Sequence, residues 1–212
     1  TGHYDFALKH DANGATDALT EGDTVSLSLV PTVHDQYGAS DGNAAVTRQD
    51  ADGHSTTVNS LGIVIHGTND APVIDVQHTG WTAGQVVGGV GSVQEDNALA
   101  GSVTGKVAAT DVDAGETSSL RYGFVHNEGG QDYSKAVLYV KADANGNPVI
   151  TSDAPTDGDG GNYNDYYGKL EMIGSEYKFS LYNDTVAVQR LGQGVTKTFG
   201  VNVVAEDVHG AY

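Results

Sequence analysis

Residues 66–75, with the sequence HGTNDAPVID, separate two segments of strand-like composition. LGIVI (61–65) precedes this stretch and APVIDV (71–76) overlaps its end, and both are rich in β-branched residues, which strands favour. Asn69 and Asp70 stand side by side between them, followed closely by Pro72. The arrangement predicts that one folding unit ends here and another begins, with an amide and a carboxylate at the junction.

Working outward, short segments of alternating apolar and polar residues recur along the chain, and turn residues (Gly, Asn or Asp) follow them. They are YDFAL (4–8), TVSLSLV (24–30), GIVIHG (62–67), AVLYVK (136–141), YKFSLY (177–182) and FGVNVVAE (199–206). Helical periodicity is nearly absent. The pattern predicts an all-β fold made of sandwich-like units.

An internal repeat divides the chain. Residues 4–39 align with residues 177–211, with Tyr4, Phe6, Leu8, Asp35, Gly38 and Ala39 over Tyr177, Phe179, Leu181, Asp207, Gly210 and Ala211. We therefore expect residues 1–74 to be the C-terminal part of a first unit and residues 92–212 to be a second unit. Residues 75–91 are a Gly-rich linker, either flexible or held on a neighbour by Trp81. Alternatively, the two parts complete one sandwich.

The net charge of −18, from 28 acidic and 10 basic residues, excludes several classes of partner. Such a surface repels nucleic acid and anionic lipid, and no apolar run is long enough for membrane insertion. The carboxylates serve either solubility or the binding of metal ions. Because the chain has no cysteine, no disulfide stiffens it, and an extracellular protein of this kind needs another source of rigidity.

Catalytic motifs are missing from the sequence. It contains no H-E-x-x-H pair, no G-x-S-x-G elbow and no P-loop, and its eight histidines show no metal-ligand spacing. We expect a protein that is not an enzyme.

Calcium is the metal that the acidic residues favour, since it takes six to eight oxygen ligands from carboxylates, amides and carbonyls. Asn69 and Asp70 offer oxygens at the junction, and the turn TDVDAG offers Asp111 and Asp113 at alternate positions. Asp207 follows a strand later in the chain, and Glu95 is a further candidate. The other interpretation is that each of these acids only caps a turn.

Four segments in order resemble a known family: IHGTNDAPVI, VQEDNALAGSVTGKVAATDVDAGE, YGKLEMIGSEYKFSL and AEDVHGA. They look like the VCBS or cadherin-like repeats of bacterial RTX adhesins. The resemblance implies immunoglobulin- or cadherin-like β-sandwich units, Ca²⁺ as ligand, and a monomeric module of a longer secreted chain on the bacterial cell surface. The calcium ligands of cadherins fall by position on Asn69, Asp70, Asp111, Asp113, Asp207 and, in the first unit, Asp35.

An insertion at about 127–167 departs from such repeats, because Tyr122 and the Tyr167 strand stand 45 residues apart. Its first half predicts a β-hairpin, AVLYVK and PVITS around the turn ADANGN. Its second half predicts an Asp/Gly-rich calcium loop with Asp153, Asp157 and Asp159. Side chains proposed for ligand contact there are Asp157, Asp159, Tyr163, Asp165, Tyr166 and Tyr167. The composition resembles that of binding loops.

These expectations define a calcium-dependent adhesion module that binds a protein or peptide on a target cell through its insertion. A glycan is the alternative ligand. A calcium-stiffened spacer without a ligand of its own is the alternative function, as is a purely structural calcium loop in the insertion.

Overall fold

The computed structural model describes the chain as two compact units, Thr1–Asn69 and Asp70–Tyr212. It describes residues 5–9, 14–29, 33–41, 46–49, 55–58, 61–81, 86–87, 90–97, 101–128, 131–156 and 161–212. Nearly all regular structure in these residues is antiparallel β-strand, which confirms the all-β prediction. Within the same ranges, no helix has the length and apolar character needed to cross a bilayer.

The first unit consists of paired strands. They are β1 Thr24–Leu29, β2 Val33–His34, β3 Ser40–Asp41, β4 Val46–Gln49, β5 Ser55–Val58 and β6 Leu61–His66. β1 pairs with β6 over six residues, from Thr24 opposite His66 to Leu29 opposite Leu61. β2 pairs with β3, and β4 with β5. Alternate residues of β6 are half-buried, as the period of two predicts.

The predicted strand at residues 4–8 does not form in the part that is described, because residues 5–9 have no strand pairing. Its repeat counterpart lies in a strand of the second unit that pairs on both sides. Apolar alternation alone is therefore not sufficient, since a strand is stabilised by neighbours that accept and donate its ladder hydrogen bonds.

The described part of the second unit contains one large sheet, one smaller sheet and two strand pairs, β7 with β12 and β9 with β10. Its strands are β7 Val73–Ile74, β8 Gly80–Trp81, β9 Val86–Val87, β10 Val90–Gly91, β11 Ser102–Lys106, β12 Ala109–Thr110, β13 Arg121–Glu128, β14 Gln131–Lys135, β15 Val137–Ala142, β16 Pro148–Thr151, β17 Tyr166–Ile173, β18 Glu176–Leu181 and β19 Asn202–Glu206. The large sheet has the order β16-β15-β17-β18-β11-β8, and the smaller has the order β14-β13-β19. A single short α-helix, α1 Val186–Gln189, occurs among the described residues, with 3₁₀ turns at Glu116–Ser118 and Tyr163–Asp165.

The core of this unit takes side chains from both sheets. Val103, Leu138, Leu170 and Phe179 come from the large sheet, and Phe124 comes from the smaller one. β11, β15 and β18 alternate between buried and more exposed positions, and β17 does so from Gly168 onward, so their apolar side chains share one face. The burial of this shared set is the main force that holds the two sheets in one unit.

The predicted insertion extends the sheets. The expected hairpin is present as β15 and β16, joined by the turn at residues 143–147. β15 pairs with β17 and so adds two strands to the large sheet, while β14 adds a strand to the smaller one. Much of the insertion is therefore part of the sheets, and among its described residues, 152–156 and 161–165 lie outside them.

Residues 75–91, for which the sequence predicts a Gly-rich linker, contribute β8 to the large sheet. Trp81 in that strand packs edge-on against Tyr177, with ring centroids 4.9 Å apart. The backbone of Gly91 lies against the indole ring so closely that a Cβ there would overlap it. Of the two interpretations of this segment, the structure favours the one in which Trp81 holds it on the unit.

We predict that Trp81→Ala destabilises the second unit by about 3 kcal/mol, the lower end for loss of a large aromatic side chain, because the ring is only partly buried. Urea unfolding followed by circular dichroism measures this. Trp81→Phe is the matched control, since it keeps an aromatic edge against Tyr177, and it should lose less than half as much. A change within about 0.5 kcal/mol for the alanine variant, typical of surface positions, would show that the segment is not anchored here.

Candidate metal centre

One end of the second unit brings together two acidic segments that are distant in sequence. The first is the loop that follows β12 and ends in a 3₁₀ turn, Glu116–Ser118, shortly before β13. The second is the turn that follows β19. Since Arg121 of β13 lies opposite Glu206 of β19, the residues just before β13 and just after β19 meet at this end.

The side chains of Asp111, Glu116 and Asp207 converge there. One carboxylate oxygen of each lies within 4.8 Å of the others. Oxygens that share a Ca²⁺ ion at about 2.3–2.6 Å are at most about 5 Å apart, so this spacing suits one ion. Asp207 has no exposed surface and Glu116 is 5% exposed, which places at least two of the charges out of water.

Asp113 belongs to the same acidic loop and is 2% exposed. Its Oδ2 accepts a hydrogen bond from the Asp70 N–H at 2.8 Å, and its own N–H donates to Asp111 Oδ1 at 2.9 Å. Its other oxygen, Oδ1, is buried without a hydrogen-bond partner in the described part of the chain, as is Asp111 Oδ2. Buried carboxylate oxygens without partners are costly, so both atoms favour the binding of a cation at this position.

The electrostatics of Asp113 agree with this geometry. Burial raises the pKa of its carboxyl above the ordinary value of 3.8, although the hydrogen bond from the Asp70 N–H acts against that rise. The negative charges of Asp111, Asp70 and Glu116 raise this pKa further. These neighbours repel one another as long as no positive charge lies among them.

His209 reaches the edge of the cluster. Its Nε2 lies 3.2 Å from Glu116 Oε1, and about a third of its side chain is exposed. One imidazole offers at most a single positive charge, and only when it is protonated. It cannot compensate the several carboxylates of this site.

The donors define the class of cation. All are carboxylate oxygens, which are hard ligands suited to Ca²⁺, Mg²⁺ or Mn²⁺ rather than to soft thiophilic metals. A buried acidic cluster that can hold a metal ion is thus present, and its donors do not distinguish among these ions.

Asp207 also has the turn-capping role that the alternative interpretation requires. Its Oδ1 accepts hydrogen bonds from the N–H groups of His209 and Ala211. Asp143 makes the same pair of bonds in the hairpin of the insertion, and no described acidic cluster includes it. The two roles are therefore separable: one oxygen of Asp207 closes the turn, and the convergence with Asp111 and Glu116 is additional.

The other predicted metal ligands lie outside this cluster. Asp70 is adjacent through its hydrogen bond to Asp113, and Asn69 is the last residue of the first unit. In the first unit, Asp35 Oδ1 accepts two backbone N–H bonds in a turn, as Asp207 Oδ1 does. No cluster of acidic residues that could hold a metal ion includes Asp35 in the described part of the chain. Glu95 has one buried oxygen without a hydrogen-bond partner among described residues, but it is not in the cluster. Asp153 is exposed, and Asp157 and Asp159 lie outside the described residues.

The predicted ligand-binding side chains divide by burial. Tyr166 has no exposed surface, and its hydroxyl donates to the carbonyl of Asp153, so a ligand cannot reach it. The prediction that Tyr166 contacts a ligand is therefore corrected: its side chain packs inside the unit. Tyr163 is half-buried against Tyr182, and Asp165 is exposed beside a groove. Tyr167 lines the same groove but is buried, and its hydroxyl donates to the Gly146 carbonyl.

Glu116 is a candidate metal ligand that the sequence patterns did not identify. It stands three residues after Asp113, so the loop reads D-x-D-x-x-E from Asp111 to Glu116. Two acids at alternate positions of a tight loop, followed by a third acid one helical turn later, form a pattern from which a metal site could have been predicted. The N-cap Gly115, at φ 85°, provides the left-handed turn that starts the 3₁₀ turn carrying Glu116.

Comparisons with known proteins give no match: no protein-family model, no curated protein and no solved structure is similar to this chain at a significant level.

We predict that Asp113→Asn raises the melting temperature of the metal-free protein by roughly 2–4 °C, equivalent to about 1 kcal/mol. The amide removes a buried charge from among like charges and still accepts the Asp70 hydrogen bond. Scanning calorimetry in chelator measures the change, with Asp153→Asn as the exposed control that should shift little. A lower melting temperature for Asp113→Asn would contradict the account.

The same variant has a predicted pH dependence. Because the folded pKa of Asp113 is raised, protonation stabilises the metal-free fold, and this contribution is complete below the unfolded value of 3.8. It is lost as the pH rises through the folded pKa. The advantage of the variant over the wild type should therefore be larger at about pH 7 than at about pH 4.

Proposed function

We propose that this chain is a calcium-dependent adhesion segment of a large secreted protein on the bacterial cell surface. The observation that carries the proposal is the buried convergence of Asp111, Glu116 and Asp207, with Asp113 beside them. The order of motifs that resembles VCBS and cadherin-like repeats supports calcium as the ion and a β-sandwich as the type of unit. In this account the chain is a monomeric module and has no catalytic role.

Calcium fits the site for a physical reason. It accepts a flexible set of six to eight oxygens, whereas Mg²⁺ needs near-octahedral geometry and gives up its waters reluctantly. Several buried carboxylates from an irregular loop and a turn suit the first ion better. With free calcium about 100-fold above the Kd, a single site stabilises the folded form by about 2.7 kcal/mol.

The consequence is mechanical. The ion ties the loop after β12 to the turn after β19, and Asp70 is already bonded to that loop through Asp113. Binding therefore fixes the start of the second unit, where the chain enters it. In a protein without disulfides, such ions provide the rigidity that a surface-exposed rod needs.

The insertion offers a face for ligand binding. A groove of about 640 Å³ is lined by its residues 141–146, 164 and 165, together with α1 and the residues after it. Lys141, Arg190 and Lys197, three of only 10 basic residues in the chain, line this groove together with Asp143 and Asp165. The basic side chains outnumber the acidic ones here, which favours a ligand that carries a carboxylate or another anion. A peptide with a free C-terminus fits this description, and an acidic glycan is the alternative.

The alternative function is a calcium-stiffened spacer without a ligand of its own. The acidic cluster serves both functions equally. Only the groove beside the insertion favours adhesion, so the two are distinguished by binding rather than by stability.

We predict that calcium raises the melting temperature of the wild-type chain by roughly 5–10 °C at 100-fold excess over the Kd. Asp207→Asn should lose most of this shift, because it removes one charge from the cluster. Asp143→Asn is the matched control, since an amide can cap the same turn there and no cluster is affected; it should keep the full shift. Equal calcium shifts in the two variants would contradict the proposed site.

We predict calcium-dependent binding to anionic ligands, measured on arrays of peptides with free or amidated C-termini and of neutral and acidic glycans. Arg190→Glu should weaken that binding at least tenfold, while Lys106→Glu, the same charge change at an exposed side chain of β11 that does not line the groove, should not. Selective loss with the amidated peptides identifies a peptide carboxylate, and selective capture of acidic glycans identifies a sugar. No binding on either array, with the calcium shift intact, would support the spacer.

A further inference from the structure

The extended segment at residues 196–201 lacks the strand partner that its counterpart in the first unit has. The internal repeat aligns this segment with β1, which pairs over its full length with β6. Within the described ranges, no strand pairs with residues 196–201. The backbone of residues 196–200 also forms no hydrogen bond there.

The two segments occupy matching positions in the repeat, since each precedes a turn of the same kind. Asp35 N–H donates to the Ala39 carbonyl at 2.9 Å, and Asp207 N–H donates to the Ala211 carbonyl at 3.1 Å. Each aspartate also accepts two backbone N–H bonds at Oδ1. Gly38 and Gly210 occupy the left-handed region at φ 84° and 89°. At this turn, the repeat seen in the sequence therefore holds in three dimensions.

Residues 196–201 already have the side-chain alternation of a strand. Lys197, Phe199 and Val201 are half-buried, whereas the residues between them are exposed. Phe199 contacts Phe179 of β18, with ring centroids 5.2 Å apart, and the segment continues directly into β19. Its inner face is thus fixed on the core while its backbone N–H and C=O groups remain available.

A groove of about 320 Å³ lies at the C-terminal end of this edge, between residues 200–202 and β13. His126 of β13 and Ile150 of β16 also line it. An unpaired edge next to a groove is the arrangement that accepts an extended peptide by β-strand addition.

We propose that residues 196–201 are an acceptor edge for one antiparallel strand of the type of Leu61–His66. The first unit shows the pairing: Leu27 lies opposite Ile63, and Leu29 opposite Leu61. In the second unit, Phe199 and Val201 take the places of Leu27 and Leu29. The incoming strand presents apolar β-branched residues at alternate positions, and main-chain hydrogen bonds provide most of the affinity.

The test uses the 212-residue chain in calcium and a fluorescent peptide of residues 59–68. We expect saturable binding by anisotropy, together with slowed amide exchange at residues 196–201 by mass spectrometry. Two further peptides carry backbone N-methyl groups at residues 61, 63 and 65, or at residues 62, 64 and 66. Only one edge of a strand faces its partner, so one methylated peptide should lose at least about tenfold in affinity and the other should bind nearly as well as the parent.

Three results would overturn the proposal. They are the absence of saturable binding by the unmodified peptide, equal affinities of the two methylated peptides, and protection that falls elsewhere in the chain. Equal affinities in particular would indicate apolar adhesion of the peptide without strand pairing.

Discussion

The repulsion among a few buried carboxylates at one end of the second unit is the constraint on which this account depends. The chain places Asp113 and Asp207 almost wholly out of water and sets Asp111 and Glu116 beside them. In the absence of a cation this arrangement opposes folding, because charges of one sign are desolvated together. With a divalent ion among them, the same carboxylates become the link between two loops that no disulfide joins. In the proposed function, the cost in one state and the benefit in the other make the stability of this unit depend on the ion.

Much of the fold follows from local patterns. The alternation in β6, β15 and β18 predicts strands because one face of each is buried, and the turn ADANGN places a hairpin because Asp143 accepts two backbone N–H groups within it. The strand expected at residues 4–8 has the same alternation as β18 but lacks its partners among the described residues. Pairing between distant segments is a property of the whole unit, and a single segment does not reveal it.

The candidate site was only partly predictable for the same reason. Asp111, Asp113 and Asp207 are identifiable from motifs, since short D-x-D spacing and a post-strand aspartate are visible in one dimension. Glu116 was missed because its role depends on the turn at Gly115 and on the register that places Arg121 opposite Glu206. Conversely, Tyr166 lies in a segment whose composition resembles that of binding loops, but its side chain is buried. Composition cannot distinguish a tyrosine that faces a ligand from one that faces the core.

The most direct measurement is the anomalous scattering of crystals grown with calcium. Our account predicts a strong anomalous peak about 2.3–2.6 Å from oxygens of Asp111, Glu116 and Asp207, with Asp113 in direct or water-mediated contact. Calcium-saturated crystals in which these carboxylates surround only water, or are protonated and bonded to one another, would contradict it.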